Sequence, residues 1–350
     1  MIDTVPVSTT LIHAPEPVAA VRRQFLTPIP ELPGEFLLVM DNTAMEKVQR
    51  CPTAGRYYLV IGREGHAKNA ALAFGGAIHE GLEGFYKNKT VNQQVQDMLQ
   101  YFTENPAPPD EYRTPQMALD VMDFYRKECL VREDYKWNIL HDADGDIIER
   151  AFEIPLGVLE IEQEIAPYGF VRKIHVAWSG RIDVVAETYG YNRVVDHKTT
   201  SIEGDQFIQS FQLSHQTIGY VWAAQQMFPE LAPINGFCLN AIRLKKPTGK
   251  VGLMDKGPRG GEPALKFFRA YFEYSQDRVD QWAANALAII EDFVHCLVRD
   301  FFPLYTNHCF NKFGRCPYFD IDTIDDQELR IRMLNSDAYK DVTWDPTVGR

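Results

Sequence analysis

The sequence predicts an α/β fold, and three observations carry that reading. Residues 180–200 hold two β-branched runs on either side of Tyr189-Gly190, which is a β-hairpin signal. Residues 147–187, ahead of the hairpin, alternate apolar and polar as strands do. Apolar stripes at helical spacing run through 67–87, 115–131, 205–227 and 277–299. The 350 residues suffice for one large domain or two small ones, and 45% hydrophobic with 12% aromatic content implies a true core.

The hairpin holds the chemistry. Asp196 and Lys198 are two apart, so their side chains leave one face of the strand. A turn centred on Tyr189-Gly190 sets Asp183 directly across from Asp196. Opposed like charges destabilise a sheet, and a hard divalent cation between them reverses the sign. The alternative is an exposed hairpin with a surface Asp-Lys pair. Val194 and Val195 speak for a strand already buried at Asp196, where an unpaired acid is costly.

From the start, residues 1–34 are Pro-rich and read as an extended arm. After the apolar run 36–40, Asp41-Asn42-Thr43 offers N-caps for a helix to Arg50, followed by Cys51-Pro52. In the helix at 67–87, Ala71, Phe74, Ile78, Leu82 and Phe85 form the apolar stripe, and His79 borders it. His79 is either a core histidine or a site residue. Each helical glycine nearby costs about 1 kcal/mol, so Gly75, Gly76 and Gly81 imply close approach of a strand or substrate. Residues 105–109 are a Pro-rich loop, and 115–131 is a scaffold helix. The run 141–146 starts like a calcium loop but lacks the later ligands, and reads as a solvated acidic turn. Glu149 and Glu153, four apart, share a strand face.

Beyond the hairpin, Gln212, Gln216 and Tyr220 form one polar stripe on the helix at 205–227, facing either solvent or a site. A strand at 234–244 leads to a loop whose Lys245, Lys246, Lys250, Lys256 and Arg259 suit either a nucleic-acid backbone or a solvated hairpin tip. A return strand and the helix at 277–299 follow. Residues 323–350 read as a polar tail in which Trp344 docks.

The order of these motifs resembles the PD-(D/E)xK nucleases, in particular the RecB/AddB-like exonuclease branch common in phages and CRISPR systems. Gly180-Arg181-Ile182-Asp183, the hairpin, and Val194-Val195-Asp196-His197-Lys198-Thr199-Thr200 carry the likeness. Gly75 to Glu80 and the Gln216-to-Tyr220 helix match further motifs in place and order. The resemblance implies a restriction-endonuclease-like mixed central sheet flanked by helices, with the N- and C-terminal segments joined as a helical lobe. The nuclease domain would span 35–322, with 35–66 and 300–322 meeting as a cysteine-containing clasp. It implies a Mg²⁺ or Mn²⁺ site made by His79, Asp183, Asp196 and the carbonyl of His197, with Glu149 (Glu153 second) and Lys198 in catalysis. Gln212, Gln216 and Tyr220 would hold DNA or support the site. Cys51, Cys309 and Cys316 match three ligands of an iron–sulfur cluster, but Asp322 stands at the fourth position. Asp322 or His308 would have to substitute, or zinc bind instead; loss of the cluster with retention of the clasp is the favoured reading.

The implied function is a metal-dependent DNA exonuclease of recombination or repair, acting on single strands or DNA ends with a recombination or helicase partner. A non-catalytic DNA-binding or assembly subunit, and a hydrolase of another phosphoester, are the alternatives. The net charge of −12 argues against a DNA-coating protein and predicts binding that weakens quickly with salt. No apolar run has the roughly 18 residues of a membrane span. The first residues lack the pattern of a signal peptide, and the six cysteines are widely spread, so the expected location is cytoplasmic: the host cytoplasm for a phage protein.

Overall fold

The computed structural model describes residues 25–65, 70–132, 136–231, 233–247, 252–256, 261–311 and 314–342. Most of the expected arm, together with Lys250, Arg259 and Trp344, lies outside them.

The chain begins with β1 (Thr27–Pro28), β2 (Glu35–Met40), α1 (Asn42–Arg50), α2 (Pro52–Gly55) and β3 (Arg63–Gly65). Asp41 caps α1, accepting the Ala44 N–H at 2.7 Å. Three helices follow, α3 (Ala70–Tyr86), α4 (Val91–Glu104) and α5 (Pro115–Val131). Next come β4 (Asn138–Ile139), β5 (His141–Asp142), β6 (Gly145–Asp146), β7 (Ile148–Ile165), β8 (Gly169–Thr188) and β9 (Tyr191–Thr200). The second half holds α6 (Asp205–Gln212), α7 (His215–Met227), β10 (Ile234–Leu244), β11 (Leu265–Glu273) and α8 (Gln276–Val298). The chain closes with β12 (Phe310–Asn311), β13 (Gly314–Arg315), α9 (Phe319–Asp322), α10 (Gln327–Leu334) and β14 (Tyr339–Asp341).

Among the described residues the main sheet runs β1-β2-β8-β9-β10-β11, with β4 and β7 also paired to β8. It is mixed: β2 with β8 and β9 with β10 are parallel, while β7–β8, β8–β9 and β10–β11 are antiparallel. Side chains alternate along each strand, so the sheet buries two separate cores. One, with α1, α7 and α8, includes Trp178, Val194, Tyr220, Trp282 and Phe293. The other, with α3, α4 and α5, includes Ile78, Met122, Tyr125, Val184 and Val195. This is the expected helix-flanked mixed sheet.

Several local expectations change. The helix expected over 205–227 is two helices. Ser214 caps α7 through the Thr217 N–H, and the Phe211 carbonyl accepts from both Ser214 N–H and the Thr217 hydroxyl. The Gln212–Gln216–Tyr220 stripe is therefore interrupted after Gln212. Helix α4, not assigned from the sequence, fills the stretch just ahead of the Pro-rich loop at 105–109, and a Thr90–Gln93 capping box starts it. The acidic turn at 141–146 is a small β5–β6 hairpin held by Arg150, which pairs with Asp142 and Asp144. In the expected tail, α10 is capped by Asp326, and β14 pairs with β3. Phe25 and Leu26 are buried, with Phe25 set edge-on to Phe293 at 5.7 Å.

Gly219 in α7 shows how tightly one core is filled. A Cβ there would lie 2.5 Å from the Trp282 ring and 3.1 Å from that of Trp178. Both indoles are buried and pack edge to face at 5.2 Å. Alanine normally favours a helix over glycine by about 1 kcal/mol. Gly219→Ala is nonetheless expected to destabilise by about 1–3 kcal/mol through overpacking, measured by urea unfolding. A gain in stability would show that the tryptophan pair yields.

Candidate active site

The site forms where one edge of β8 changes partner. The ladder to β2 ends at Trp178 and the ladder to β9 begins at Val184. Between them the strands fork, and the Asp183 side chain sits in the fork, accepting the His197 backbone N–H at 2.8 Å. Asp183 is 1% exposed. The hairpin register, Thr188 with Tyr191 through Val184 with Val195, follows the expected turn and stops one step short of Asp183 and Asp196.

Two more donors reach the fork. His79, on α3, places Nδ1 3.5 Å from Asp183 Oδ2. Glu149 lies on the other edge of β8, between pairs 148–184 and 150–182, with a left-handed φ of 51°. That conformation is uncommon for a residue with a side chain and is typical of strained functional positions. One ligand atom from each of His79, Glu149 and Asp183 lies within 4.8 Å of the others. Helix α3 approaches closely because Gly75 faces β9, where an added Cβ would stand 2.9 Å from Thr199 Oγ1.

Asp196, Lys198 and Gln216 form a second group. Val195 and His197 turn toward α3 and α5, which sends Asp196 to the α7 side with Val194. The Asp196 carboxylate is 0% exposed and accepts Lys198 Nζ at 2.8 Å and Gln216 Nε2 at 2.9 Å. Asp196, expected to share one cation with Asp183, instead turns away from the His79–Glu149–Asp183 cluster because the strands part after the Val184–Val195 pair, and the two groups meet through the backbone of His197.

The other expected residues lie apart from the His79–Glu149–Asp183 cluster. Glu153 is exposed, opposite Ser179. Tyr220 packs edge-on to Phe152 at 5.7 Å, and both rings cover Gly180, whose missing side chain makes room for them. The Gln212 side chain is exposed while its carbonyl accepts the Tyr274 hydroxyl. In the basic loop, Lys245 pairs with Glu262 at 3.4 Å and Lys246 with Glu111, while Lys256 is exposed. Arg181, whose Nη1 is 3.8 Å from Glu149 Oε2, is a site-lining cation not singled out from the sequence. Its signal was the two-residue spacing from Asp183.

The clasp holds a different donor set. Cys51, Cys309 and Cys316 are free thiols, and Cys51 Sγ accepts the Tyr305 N–H at 3.4 Å. Burial raises the pKa of the Cys309 and Cys316 thiols and of the Asp322 carboxyl, which accepts the Tyr57 hydroxyl at 2.9 Å. His308 is exposed. A [4Fe–4S] cluster takes four thiolates, so three thiols and an aspartate already engaged by Tyr57 do not fit it. Packed rings hold the segment instead: Tyr57 lies tilted against Tyr318 at 4.9 Å, and Tyr318 stacks on Tyr339 at 6.0 Å.

A sequence profile of the PD-(D/E)XK nuclease superfamily matches residues 42–321. The chain belongs to that superfamily. The match takes in all the residues around the fork. Among solved structures, the chain is similar to a "Putative exonuclease" from Eubacterium rectale, at 11% identity and a TM-score of 0.42, over 82% of this chain and 86% of that one. No curated protein matches. No described helix is long and apolar enough to cross a membrane.

Two carboxylates and an imidazole suit a divalent cation. Such an ion also offsets the cost of holding Glu149 and a buried Asp183 side by side. Asp183→Asn, Glu149→Gln and His79→Ala are each expected to weaken Mn²⁺ binding at least about tenfold by titration calorimetry. Glu153→Gln is expected to leave it unchanged.

Proposed function

We propose that the chain is a divalent-metal-dependent deoxyribonuclease that degrades DNA from its ends. The observation that carries the proposal is the His79–Glu149–Asp183 cluster at the sheet fork, beside the Asp196–Lys198 pair. The cluster, with the His197 carbonyl beside it, would hold Mg²⁺ or Mn²⁺. When bound, the ion supplies a water of lowered pKa and neutralises phosphoryl charge. The remaining work falls to the chain. Asp196 and Gln216 fix the Lys198 ammonium, which donates to the attacking water or to the phosphoryl oxygen gaining charge. Arg181, whose side chain is 23% exposed, can exchange its contact with Glu149 for a DNA phosphate. Lys198 and Arg181 provide local positive charge within an acidic protein.

The sequence resemblance to the RecB/AddB-like branch supports action on ends and a role in recombination or repair. A helicase or recombination partner, a phage context and a cytoplasmic location belong to the same reading.

The test is a timed digest of end-labelled single- and double-stranded DNA, with a closed circular control, in Mg²⁺, Mn²⁺ or chelator. Linear DNA is expected to shorten from its ends with metal, and circles to survive. Lys198→Ala is expected to lower the rate about 10²–10³-fold while remaining folded. DNA binding without cleavage under every metal condition would instead make the chain a non-catalytic binding subunit.

A further inference from the structure

Three adjacent strands carry a row of polar side chains behind the fork. His197 on β9 is the register partner of Asn240 on β10, and Asn240 is the partner of Arg269 on β11. Asn240 is 0% exposed. Arg269 Nε donates to Asn240 Oδ1 at 3.1 Å. Arginine only donates, so this contact fixes which end of the amide is oxygen. The Asn240 nitrogen then directs its two hydrogens to His197 Nδ1 at 2.8 Å and to the Tyr125 hydroxyl at 2.9 Å. His197 Nδ1 is thus an acceptor, and the ring carries its hydrogen on Nε2.

Aromatic rings fix the same imidazole from the side. Tyr86 stacks on it at 5.4 Å with planes 2° apart, and Trp137 stacks on Tyr86 at 5.3 Å. The Arg269 guanidinium lies 3.9 Å from the Trp137 ring centre, and the Tyr86 and Tyr125 hydroxyls meet at 2.6 Å. The row is therefore a closed unit whose last member, His197, holds Asp183 through its backbone N–H.

We infer that Asn240 is a positioning residue for the candidate metal site: oriented by Arg269, it fixes the His197 ring and, through the His197 backbone, the place of Asp183. This rests on the nuclease reading for its effect on catalysis, and on geometry alone for its effect on the site. Buried polar groups tie up chain at a cost, and an apolar residue would fill the same space on a sheet otherwise packed with Val195, Cys238 and Ile242. Holding the ligand-bearing strand accounts for polar residues there.

The test uses Asn240→Asp and Asn240→Ala in the full chain. Aspartate keeps the shape and the Arg269 contact but removes both donors. In nitrogen-resolved NMR of histidine-labelled protein, native His197 is expected to carry its hydrogen on Nε2, and the Asp variant to carry one on Nδ1. Mn²⁺ affinity is expected to fall about 10–100-fold in both variants, with the thermal transition still cooperative. On DNA, kcat is expected to fall by a similar factor with KM unchanged. Native Mn²⁺ affinity and ring tautomer in folded Asn240→Asp would overturn the inference. Both readouts are taken without DNA, so they decide it even if the native protein cuts nothing, a result that would sink only the nuclease reading.

Discussion

The arrangement depends on a single hydrogen bond in which a carboxylate takes the place of a strand. Where β8 and β9 part, the His197 N–H has no carbonyl from β8 to meet, and Asp183 Oδ2 receives it at 2.8 Å. A buried backbone donor left unmade is costly, so this contact stabilises the fork and fixes the acid at once. The divergence also opens space for His79 from above and Glu149 from the far edge.

The two faces of the sheet then divide the labour. The α3 side supplies the cluster of donors, and the α7 side supplies Gln216 to Asp196 and hence to Lys198. Alternation along β9 separates the two by one residue, and the backbone of His197 joins them. Glycine matters in two places: Gly75 lets α3 approach β9, and Gly180 lets Phe152 and Tyr220 close over β8 beside the fork.

Much of this was legible in the sequence, and the reasons differ by residue. Hairpin register follows from turn position, so Tyr189-Gly190 located Val184 against Val195 without coordinates, but the parting of the strands one step further, which separates Asp183 from Asp196, left no mark in the spacing. Helical spacing and the glycines marked α3 and His79. Glu149 and Glu153 share the same periodicity, and only the left-handed backbone at Glu149 separates them, a property no spacing reveals. Asn240 and Arg269 were hidden for a related reason: each reads as an ordinary strand residue until the pairing of β9, β10 and β11 sets them in line. The break between α6 and α7 turned on Ser214, a capping residue inside an otherwise continuous helical pattern. The tyrosines that join the segments around Cys51 and Cys316, Tyr57, Tyr318 and Tyr339, carried no signal in the spacing.

The clasp joins distant parts of the chain: Tyr57 donates to Asp322, and β3 pairs with β14. During synthesis the first of these partners leaves the ribosome long before the second. Tyr57 and β3 must therefore wait uncovered until the last helices and β14 emerge. The residues of the fork, and the Asn240–Arg269 row behind it, all precede α9 and can assemble earlier. Nascent chains stalled before α9 would then hold a formed fork on an unfinished protein, with Tyr57 still lacking Tyr318 and Asp322.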